Sequence, residues 1–523
     1  MSASALHRAI ALHQAGKLDE AEGGYRAVLA VDPNNFNALH LLGVVRHHQG
    51  RPEEAIGLIE AALRLDPGVA DAHGNLGNAL HALGQLDAAA ASYRTALRLA
   101  PDQAELHFGA AIVLQKQQRY EAAAAHFQQA YRLRPDLPEA AIHLCTELAR
   151  RGQQDQAEAL LRGMVERDPL YAGAWLNLGL LHQEQGRYPA ALDCFRRAQA
   201  IAPDFALAHY NEGLVQLLTG NLTLGWEKYE WRWRVESFSR VPPRFPQARW
   251  LGEDLGGRTL LVHSEQGFGD TIQFCRYLPL AAARARILLS VPKPLIRLLS
   301  GVPGIAQFMS PGDPVPEFDR YCPMLSLPRV FGTVLETIPA AIPYLTAEPA
   351  RVAAWAQRLP AAGCRIGIAW QGNPDAALDQ GRSFPLACLE PVARVPGVAL
   401  VSLQKGAGLE QIDALAGRLA VTVPGPDFDS GPDAFLDTAA MMMSLDLVIT
   451  CNTAVAHLAG ALGRPVWLAL RHHPDWRWLL DREDSPWYPS LRLFRQRRPN
   501  DWAEVFTRVA AALPEFMRGG TSR

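Results

Sequence analysis

The chain contains 523 residues, of which 51 are basic and 53 acidic, so its formal net charge is −2. A chain of this length is too long for one hydrophobic core, and we expect about two to four domains. Proteins that bind nucleic acid or anionic membranes usually carry a basic excess, so the balanced charge argues against both kinds of partner.

The cysteines and the first residues of the chain indicate the compartment. Seven cysteines occur singly, without a CxxC pair, which predicts buried thiols rather than disulfides or a zinc site. The N-terminal stretch MSASALHRAIALHQAGKLDE is amphipathic and lacks the apolar core of a signal peptide. No apolar run reaches membrane-spanning length. We therefore expect a cytoplasmic protein with no metal ion and no membrane span.

The first half of the chain repeats with a period of 34 residues. Proline keeps this spacing at Pro33, Pro67, Pro101, Pro135, Pro169 and Pro203. A glycine series has the same step, at Gly16, Gly50, Gly84, Gly152, Gly186 and Gly220. Only Gln118 interrupts it. This period is typical of tetratricopeptide repeats (TPRs), in which each unit is a pair of helices. The sequence predicts an α-solenoid, a TPR superhelix of about seven helix pairs over residues 1–235, and a linker over 236–256.

One position of the repeat faces the concave groove of such a solenoid. It is occupied by Leu41, Asn75, Gly109, His143, Asn177 and Asn211. The stretches GNLGNAL and LNLGLL resemble the repeats of the eukaryotic O-GlcNAc transferase, whose asparagines bind peptide backbone. An asparagine amide can both donate and accept hydrogen bonds. The resemblance implies an acceptor-peptide groove containing Asn75, His143, Asn177 and Asn211; the alternative is that asparagine is merely tolerated on a half-exposed helix face.

From Arg258 onward, short apolar runs alternate with helical stretches. The runs are TLLVHS, ARILLSV, CRIGIAW, VALVSLQ, LDLVIT and PVWLAL. Continuous apolar runs of this kind are typical of buried parallel strands. The second half is therefore predicted to form two Rossmann-like α/β lobes, at residues 257–345 and 346–523, the second ending in a C-terminal helix.

A glycine turn follows the first predicted strand, in the stretch HSEQGFGDTIQF. Gly267 and Gly269 allow close approach of the backbone, and Asp270 opens a helix. Asp270 is interpreted either as a helix cap or as a general base facing a cleft. Glu265, at the start of the loop, is the competing carboxylate.

A second strand-to-helix junction lies in LDLVITCNTAVAHLAGALGRPV. A helix beginning at Thr453–Ala454 would point its free N–H groups at a diphosphate. Arg382 and Ser383 follow another strand in WQGNPDAALDQGRSFPL, and Lys405 follows the next strand in SLQKG. Because carboxyl ends of parallel strands share one edge, the sequence predicts a pyrophosphate clamp there. Each cation could equally be an ordinary surface charge.

These two junctions carry a specific resemblance. GFGDTIQFCRYLP resembles the Gly-Asp loop of the lipopolysaccharide heptosyltransferases, and LDLVITCNTAVAHLAGALGRPV resembles their pyrophosphate-binding segment. The C-terminal half is similar to the heptosyltransferase-like domains fused to TPRs in bacteria, some of which modify flagellin. The resemblance implies a GT-B fold, with the acceptor on the first lobe and a nucleotide-sugar donor on the second. It also implies inverting sugar transfer without a metal ion or cofactor.

The resemblance further implies roles for single residues. The family's proposed general base corresponds to Asp270, and its basic phosphate ligand corresponds to Arg382. His457 matches the family's histidine one turn into the helix, although a helix histidine is more often a packed core residue. Asn452 replaces the family's usual aspartate before Thr453, which keeps the size and the hydrogen bonds but loses the charge.

The predicted function is a protein O-glycosyltransferase whose TPR arm recruits the acceptor, flagellin being one possibility. One alternative is a lipopolysaccharide or saccharide acceptor, as in the heptosyltransferases. Another is a non-catalytic TPR scaffold with a degenerate transferase domain, which Asn452 favours. The DFD stretch at Asp427–Asp429 mimics a metal-binding Asp-x-Asp, but it lacks the expected strand context and is interpreted as chance.

Overall fold

The computed structural model describes residues 2–235, 245–361, 363–374, 379 and 381–519. The chain divides into two compact units, unit 1 (Met1–Pro203) and unit 2 (Asp204–Arg523). The first part of the predicted linker, residues 236–244, lies outside the described residues. None of the helices in the described ranges combines the length and apolarity needed to cross a membrane.

Unit 1 is built from consecutive helices that pack in pairs. In chain order these are α1 (Ser2–Gln14), α2 (Leu18–Val31), α3 (Phe36–His48), α4 (Pro52–Leu65), α5 (Ala70–Ala82), α6 (Leu86–Leu99), α7 (Ala104–Lys116), α8 (Tyr120–Leu133), α9 (Pro138–Arg150), α10 (Gln154–Arg167), α11 (Ala172–Glu184) and α12 (Tyr188–Ile201). The turn inside each pair needs a positive φ, which Gly84 (φ 72°) supplies easily. Gln118 replaces glycine at this position and still adopts φ 62°, so the turn keeps its backbone geometry.

Glycines on the first helix of a pair make room for large side chains on the second. A Cβ at Gly179 would lie 2.6 Å from Cε1 of Phe195, and a Cβ at Gly77 would lie 2.7 Å from Cε2 of Tyr93. Phe195 and Tyr93 are buried between their helices. The repeated small residues therefore set the close approach of the two helices.

In several repeats, a side-chain ring bonds to the carbonyl of the proline six residues earlier, a contact that periodicity alone does not predict. The ring N–H of Trp175 donates to the carbonyl of Pro169 at 3.0 Å. The same offset joins His73 Nε2 to the Pro67 carbonyl at 3.0 Å and His107 Nε2 to the Pro101 carbonyl at 2.9 Å. These bonds tie the proline that ends one repeat to the first helix of the next.

Unit 2 begins with α13 (Ala206–Leu218) and α14 (Leu222–Tyr229), which bring the number of described solenoid helices to 14, and continues into a 3-10 turn at Glu230–Arg234. The aromatic side chains of this pair pack on the rest of unit 2. Trp226 donates its ring N–H to the carbonyl of Thr333 at 3.0 Å and makes an edge contact with Trp476.

The first sheet of unit 2 has four parallel strands in the order β3-β2-β1-β4. The strands are β1 (Thr259–His263), β2 (Arg286–Ser290), β3 (Ile305–Met309) and β4 (Arg320–Pro323). The helices described beside it are α15 (Phe268–Phe274), α16 (Leu278–Ala282), α17 (Ile296–Leu299) and α18 (Leu327–Val330). All of these elements fall within the predicted first lobe. The later part of the predicted linker runs along β4, where Trp250 donates its backbone N–H to the Tyr321 carbonyl at 2.8 Å.

The second sheet has six parallel strands in the order β10-β9-β8-β5-β6-β7. The strands are β5 (Cys364–Ala369), β6 (Val398–Ser402), β7 (Val421–Thr422), β8 (Leu447–Thr450), β9 (Val466–Leu470) and β10 (Leu491–Arg495). Its described helices are α19 (Pro349–Ala356), α20 (Glu390–Ala393), α21 (Glu410–Ala414), α22 (Leu436–Met442), α23 (Ala454–Ala461) and α24 (Trp502–Gly519). Ile366, Ile449 and Phe506 belong to the buried core on one face of this sheet.

The strand order of the second sheet contains a switch point. The order reverses between β5 and β8, as in doubly wound nucleotide-binding sheets, whose ligands bind outside the carboxyl ends of the strands at this switch point. Ala369 at the end of β5 pairs with Thr450 at the end of β8. Arg382 and Ser383 follow β5, and Asn452, Thr453 and Ala454 follow β8, whereas Lys405 follows β6.

Candidate active site

Asp270 is the third residue of α15, and its carboxylate closes the first turn of that helix. Oδ2 of Asp270 accepts the backbone N–H of Gly267, the helix N-cap, at 2.9 Å. This bond satisfies a donor that would otherwise lack a partner at the helix start. The interpretation as a cap therefore describes part of what Asp270 does.

The other oxygen of Asp270 is paired with a buried cation. Oδ1 accepts a hydrogen bond from Nη2 of Arg477, a residue that follows β9. The side chains are 19% and 8% exposed, respectively. Burial raises the pKa of the Asp270 carboxyl, and the Arg477 guanidinium acts in the opposite direction. Each carboxylate oxygen can accept two hydrogen bonds, so the pairing leaves Asp270 with capacity to accept a proton.

Gly269 brings the loop after β1 against the helix after β8. A Cβ at Gly269 would lie 3.1 Å from Cδ2 of His457 and 3.3 Å from Cα of Ala454. A larger residue would push the two segments apart, because the nearest atoms belong to a backbone and a buried ring. The structure thus brings the two predicted junctions into direct contact.

The start of α23 lies at the switch point of the second sheet. Thr453 is its N-cap, with extended backbone (φ −136°, ψ 176°), and Ala454 is its first residue. Asn452, Thr453 and Ala454 are partly exposed. Free backbone N–H groups at such a helix start favour anions.

Arg382 lies against the segment that follows β5 and has unused hydrogen-bonding capacity. A Cβ at Gly372, just after β5, would lie 3.0 Å from Nε of Arg382, so glycine leaves the space for the guanidinium. Nε is buried and has no hydrogen-bond partner among the described residues; its ion-pair contact is Oδ1 of Asp379 at 3.8 Å. Burial raises the pKa of the Cys451 thiol to about 12, and the charge of Arg382 acts in the opposite direction.

Ser383 and Lys405 are engaged in contacts within the protein. Ser383 accepts the backbone N–H of Gly372 at 2.9 Å and donates to Oδ1 of Asp379 at 2.6 Å, which closes the polar loop. The ammonium group of Lys405, an exposed residue, donates to the backbone carbonyl of Asp429. Arg382 is therefore the better placed of the two predicted cations.

His457 is a packed residue of the site wall. Its Nδ1 is hydrogen-bonded to the Tyr488 hydroxyl at 3.0 Å, and its ring stacks on Trp478 with centroids 5.5 Å apart. Burial lowers the pKa of His457 well below its ordinary value, so the ring is neutral. A neutral ring facing Gly269 shapes the loop without supplying charge.

Glu265 has a different environment from Asp270. Its Oε2 accepts from Nε of Arg232 at 2.8 Å, and its Oε1 accepts from Nη2 of Arg232 and from the Leu325 backbone N–H, both at 3.1 Å. The side chains of Glu265 and Arg232 are 5% and 3% exposed. This fully bonded pair joins the last solenoid turn to the first sheet, so Glu265 has a structural role, whereas Asp270 keeps more of its side chain exposed.

The acidic DFD stretch serves the fold of the second lobe. Asp427 forms an ion pair with Arg358, whose nitrogens lie 2.6 and 2.8 Å from its carboxylate oxygens. Asp429 accepts the backbone N–H of Asp437 at 2.8 Å and the Thr438 hydroxyl at 2.5 Å, which fixes the start of α22. Within the described ranges, no group of three or more His, Cys, Asp or Glu side chains could hold a metal ion.

The predicted groove residues already make local contacts. Nδ2 of Asn75 is hydrogen-bonded to Nε2 of His40 at 2.9 Å. The amide of Asn177 donates to the Gly173 carbonyl at 2.8 Å, one helical turn back. His143 stacks on Phe127 with centroids 4.9 Å apart. In unit 2, Asn211 donates to the Leu207 carbonyl at 2.8 Å. These positions do not form a uniform amide ladder.

Comparison with known families establishes the nature of the first half. Tetratricopeptide-repeat family models match residues 6–70, 77–118, 114–169 and 172–205. The N-terminal part of the chain consists of TPRs. The prediction from the 34-residue period is confirmed, as is the predicted solenoid followed by parallel sheets. TPR arrays present extended concave surfaces for binding peptides or proteins.

The chain also aligns with one curated relative, over a stretch that is longer than its repeat region. The chain is 30% identical to Protein FlbA of Caulobacter vibrioides over 374 residues, which are 66% of this chain and 62% of FlbA. The aligned part is therefore less than two thirds of that relative.

Solved TPR structures match a smaller share of the chain. YrrB, described as a TPR protein with an unusual peptide-binding site, is 24% identical to this chain. The match covers 36% of this chain and 98% of YrrB, with a TM-score of 0.32. PilF of Pseudomonas aeruginosa is 18% identical, and the match covers 40% of this chain and 96% of PilF, with a TM-score of 0.36. A thermophilic TPR protein of Thermus thermophilus is 23% identical, and the match covers 37% of this chain and 99% of that protein, with a TM-score of 0.30.

Proposed function

We propose that the chain is an inverting, metal-independent glycosyltransferase with a GT-B catalytic module. It would transfer a sugar from a nucleotide-sugar donor to a Ser or Thr hydroxyl of a protein that the TPRs recruit. The observation that carries this proposal is the contact between Gly269 and the start of α23. This contact supports the proposal because Asp270, whose carboxylate is partly exposed, directly follows Gly269, and the free backbone N–H groups at the start of α23 would favour an anion.

In the proposed reaction, the acceptor hydroxyl oxygen attacks the anomeric carbon of the donor sugar. Asp270 takes the hydroxyl proton as the new C–O bond forms. The bond between the anomeric carbon and the phosphate oxygen breaks, and its electron pair leaves with the nucleoside diphosphate. Burial supports this role of Asp270, since it raises the pKa of the carboxyl and makes it a stronger base.

The leaving diphosphate would be stabilised by the second lobe. The backbone N–H groups at the start of α23 supply donors and a positive helix end. Arg382 supports this assignment because its buried Nε lacks a hydrogen-bond partner among the described residues. Thr453 and Asn452 would add neutral donors at the same turn.

A thermal-shift screen against UDP-, GDP-, ADP-, CMP- and dTDP-sugars tests the donor site. A ligand present at about one hundred times its dissociation constant should stabilise the protein by about 2.7 kcal/mol. We expect one nucleotide to stabilise the wild type and Arg358→Ala, but not Arg382→Ala. Arg358 is a matched control because its guanidinium is paired with Asp427, which is not among the predicted donor-site residues, and both side chains are largely exposed. The same stabilisation of Arg382→Ala would exclude the assigned phosphate contact.

A second candidate is a TPR scaffold whose transferase module only binds partners. Two observations favour it: both oxygens of Asp270 already accept hydrogen bonds, and Asn452 carries no charge. Under this alternative, Asp270→Asn leaves the cellular role intact, whereas catalysis requires the carboxylate.

A further inference from the structure

The loop at residues 267–270, here called the GFGD loop, is held by three elements of the second lobe. The Phe268 ring makes an edge contact with Phe435, with centroids 6.0 Å apart. Gly269 lies against the start of α23, and Asp270 is paired with Arg477. The first two contacts are apolar, so Arg477 provides the charged contact to the candidate base.

Arg477 is bound on every side. Nη1 donates to Oδ1 and Oδ2 of Asp475 at 3.0 and 3.1 Å, and Nε donates to Oε1 of Gln273 at 2.6 Å. Its guanidinium carbon lies 4.3 Å from the ring centroid of Trp476. These contacts fix the plane of the guanidinium, and Nη2 remains directed at Asp270.

The surroundings of Arg477 keep this geometry at a cost to local stability. Gln273 is fully buried, and its Nε2 has no hydrogen-bond partner among the described residues, although its Oε1 accepts from Arg477. Leu479 adopts φ 50° and ψ −167°, a region that non-glycine residues rarely occupy. Such unsatisfied groups and backbone strain are found together at functional sites.

We propose that Arg477 is a positioning residue that orients the Asp270 carboxylate and keeps it ionised at neutral pH, ready to accept a proton. For its catalytic meaning this inference rests on the proposed function, whereas the coupling of the two side chains can be measured without it. A buried carboxylate without a neighbouring cation retains its own proton to a higher pH, which lowers the fraction that can act as a base.

The other groups facing Asp270 do not replace this cation. Asp475 and Glu265 are negative and disfavour ionisation of Asp270, and the Tyr229 phenol is buried. His457, beside Gly269, is neutral. Arg232 is committed to Glu265. The backbone N–H of Gly267 also favours the ionised form, but among these side chains Arg477 is the one whose charge does so.

The test is a direct titration of Asp270 in the full-length protein. Aspartate labelled with carbon-13 at the γ-carboxyl is followed by NMR across the acid range, and Asp270 is assigned by the signal absent from Asp270→Asn. We expect Arg477→Gln to raise the titration midpoint by about one to three pH units, the effect of losing an adjacent opposite charge. Arg358→Gln, which removes a guanidinium that is paired with Asp427 and not with Asp270, should leave the midpoint unchanged.

An unchanged midpoint in a folded Arg477→Gln protein would overturn the proposal. If that variant does not fold, Arg477→Lys provides the test. The lysine ammonium cannot bond to Asp475, Gln273 and Asp270 in the same planar arrangement. We therefore expect the titration midpoint of Asp270 to rise by a smaller amount, about half a pH unit or more. An identical midpoint in Arg477→Lys and the wild type would then exclude positioning by the guanidinium.

The activity measurement separates this inference from the proposed function. With an active donor and acceptor pair, the acid limb of the kcat/KM profile should move up in Arg477→Gln by the same amount as the NMR midpoint. If the protein transfers no sugar, we still expect the shift of the NMR midpoint. In that case the coupling of Arg477 to Asp270 stands, and only its role in catalysis is refuted. If transfer exists but neither measurement moves, the role of Arg477 is refuted while the proposed function stands.

Discussion

At the scale of single residues, Glu265 and Asp270 show how two nearby carboxylates acquire different roles. Glu265 bonds to Arg232 through both oxygens and to a backbone N–H, and it is almost inaccessible. Asp270 keeps 19% of its side chain exposed and shares its cation with Asp475. One carboxylate therefore stabilises the fold, and the other can take part in chemistry.

This difference predicts unequal losses of stability. Glu265→Gln leaves the buried Arg232 with Glu230 as its remaining carboxylate, and we expect a loss of about 3 kcal/mol. Asp270→Asn should cost less, because Arg477 keeps Asp475 and the asparagine can still accept a hydrogen bond. Thermal and urea unfolding of the full chain measure both. A larger loss in Asp270→Asn would contradict the assignment of roles.

His263, at the end of β1, predicts a pH dependence of stability. Burial lowers its pKa from 6.5 to about 4 in the folded protein. Between these values the unfolded chain binds a proton that the folded chain does not, so stability falls as pH drops from 6.5 towards 4. This difference corresponds to about 3 kcal/mol below pH 4.

The variant His263→Phe isolates this contribution. It removes the titrating ring and keeps an aromatic group beside Phe245 and Tyr321. We expect unfolding temperatures of the wild type to fall more steeply than those of the variant between pH 6.5 and 4. Parallel curves would show that His263 is not buried in its neutral form.

At the scale of elements, the glycines of the repeat differ in their tolerance of a side chain. Gly179 faces Phe195 and Cys194, so Gly179→Ala should destabilise unit 1 by about 1–3 kcal/mol through overpacking. Gly163, within α10, has no atom within 4 Å of the added Cβ among the described residues. Gly163→Ala should stabilise by up to about 1 kcal/mol through helix propensity. Thermal unfolding followed by circular dichroism compares the stability of the two variants with that of the wild type. Equal changes in stability would refute the packing argument.

The helices and their turns could be predicted because the signal recurs every 34 residues. Gly84 and its equivalents mark turns whose backbone needs a positive φ, and even Gln118 follows this geometry. The ring bond from Trp175 to Pro169 could not be predicted, since its geometry depends on how two helices pack. Repetition reveals the element but not its side-chain contacts.

The candidate site was only partly predictable for a similar reason. Asp270 and Thr453 each follow an apolar strand and open a helix, which is a local pattern. Arg477 was not predicted, because it is 207 positions from Asp270 and lies in a Trp- and Arg-rich stretch that allows both a donor-site and a packing interpretation. The stretch does pack, since Trp476 and Trp478 are buried. Lys405 followed the expected pattern, but its ammonium bonds to Asp429.

At the scale of the whole molecule, the chain combines TPRs, which are protein-binding repeats, with a region of two parallel sheets. The TPRs are established by family comparison, and the second sheet has the strand order of nucleotide-binding folds. Neither feature alone defines an activity, because function depends on the residues of the site. The proposed activity therefore depends on Asp270 acting as a base.

Glycopeptide mass spectrometry tests this claim most directly. Cells whose own copy of the gene is replaced by the wild type or by Asp270→Asn are compared at equal protein levels. We predict Ser- or Thr-linked sugar on at least one protein with the wild type, and its loss with Asp270→Asn. Identical glycopeptides in both strains, with the variant folded, would contradict catalysis by Asp270 and favour the scaffold.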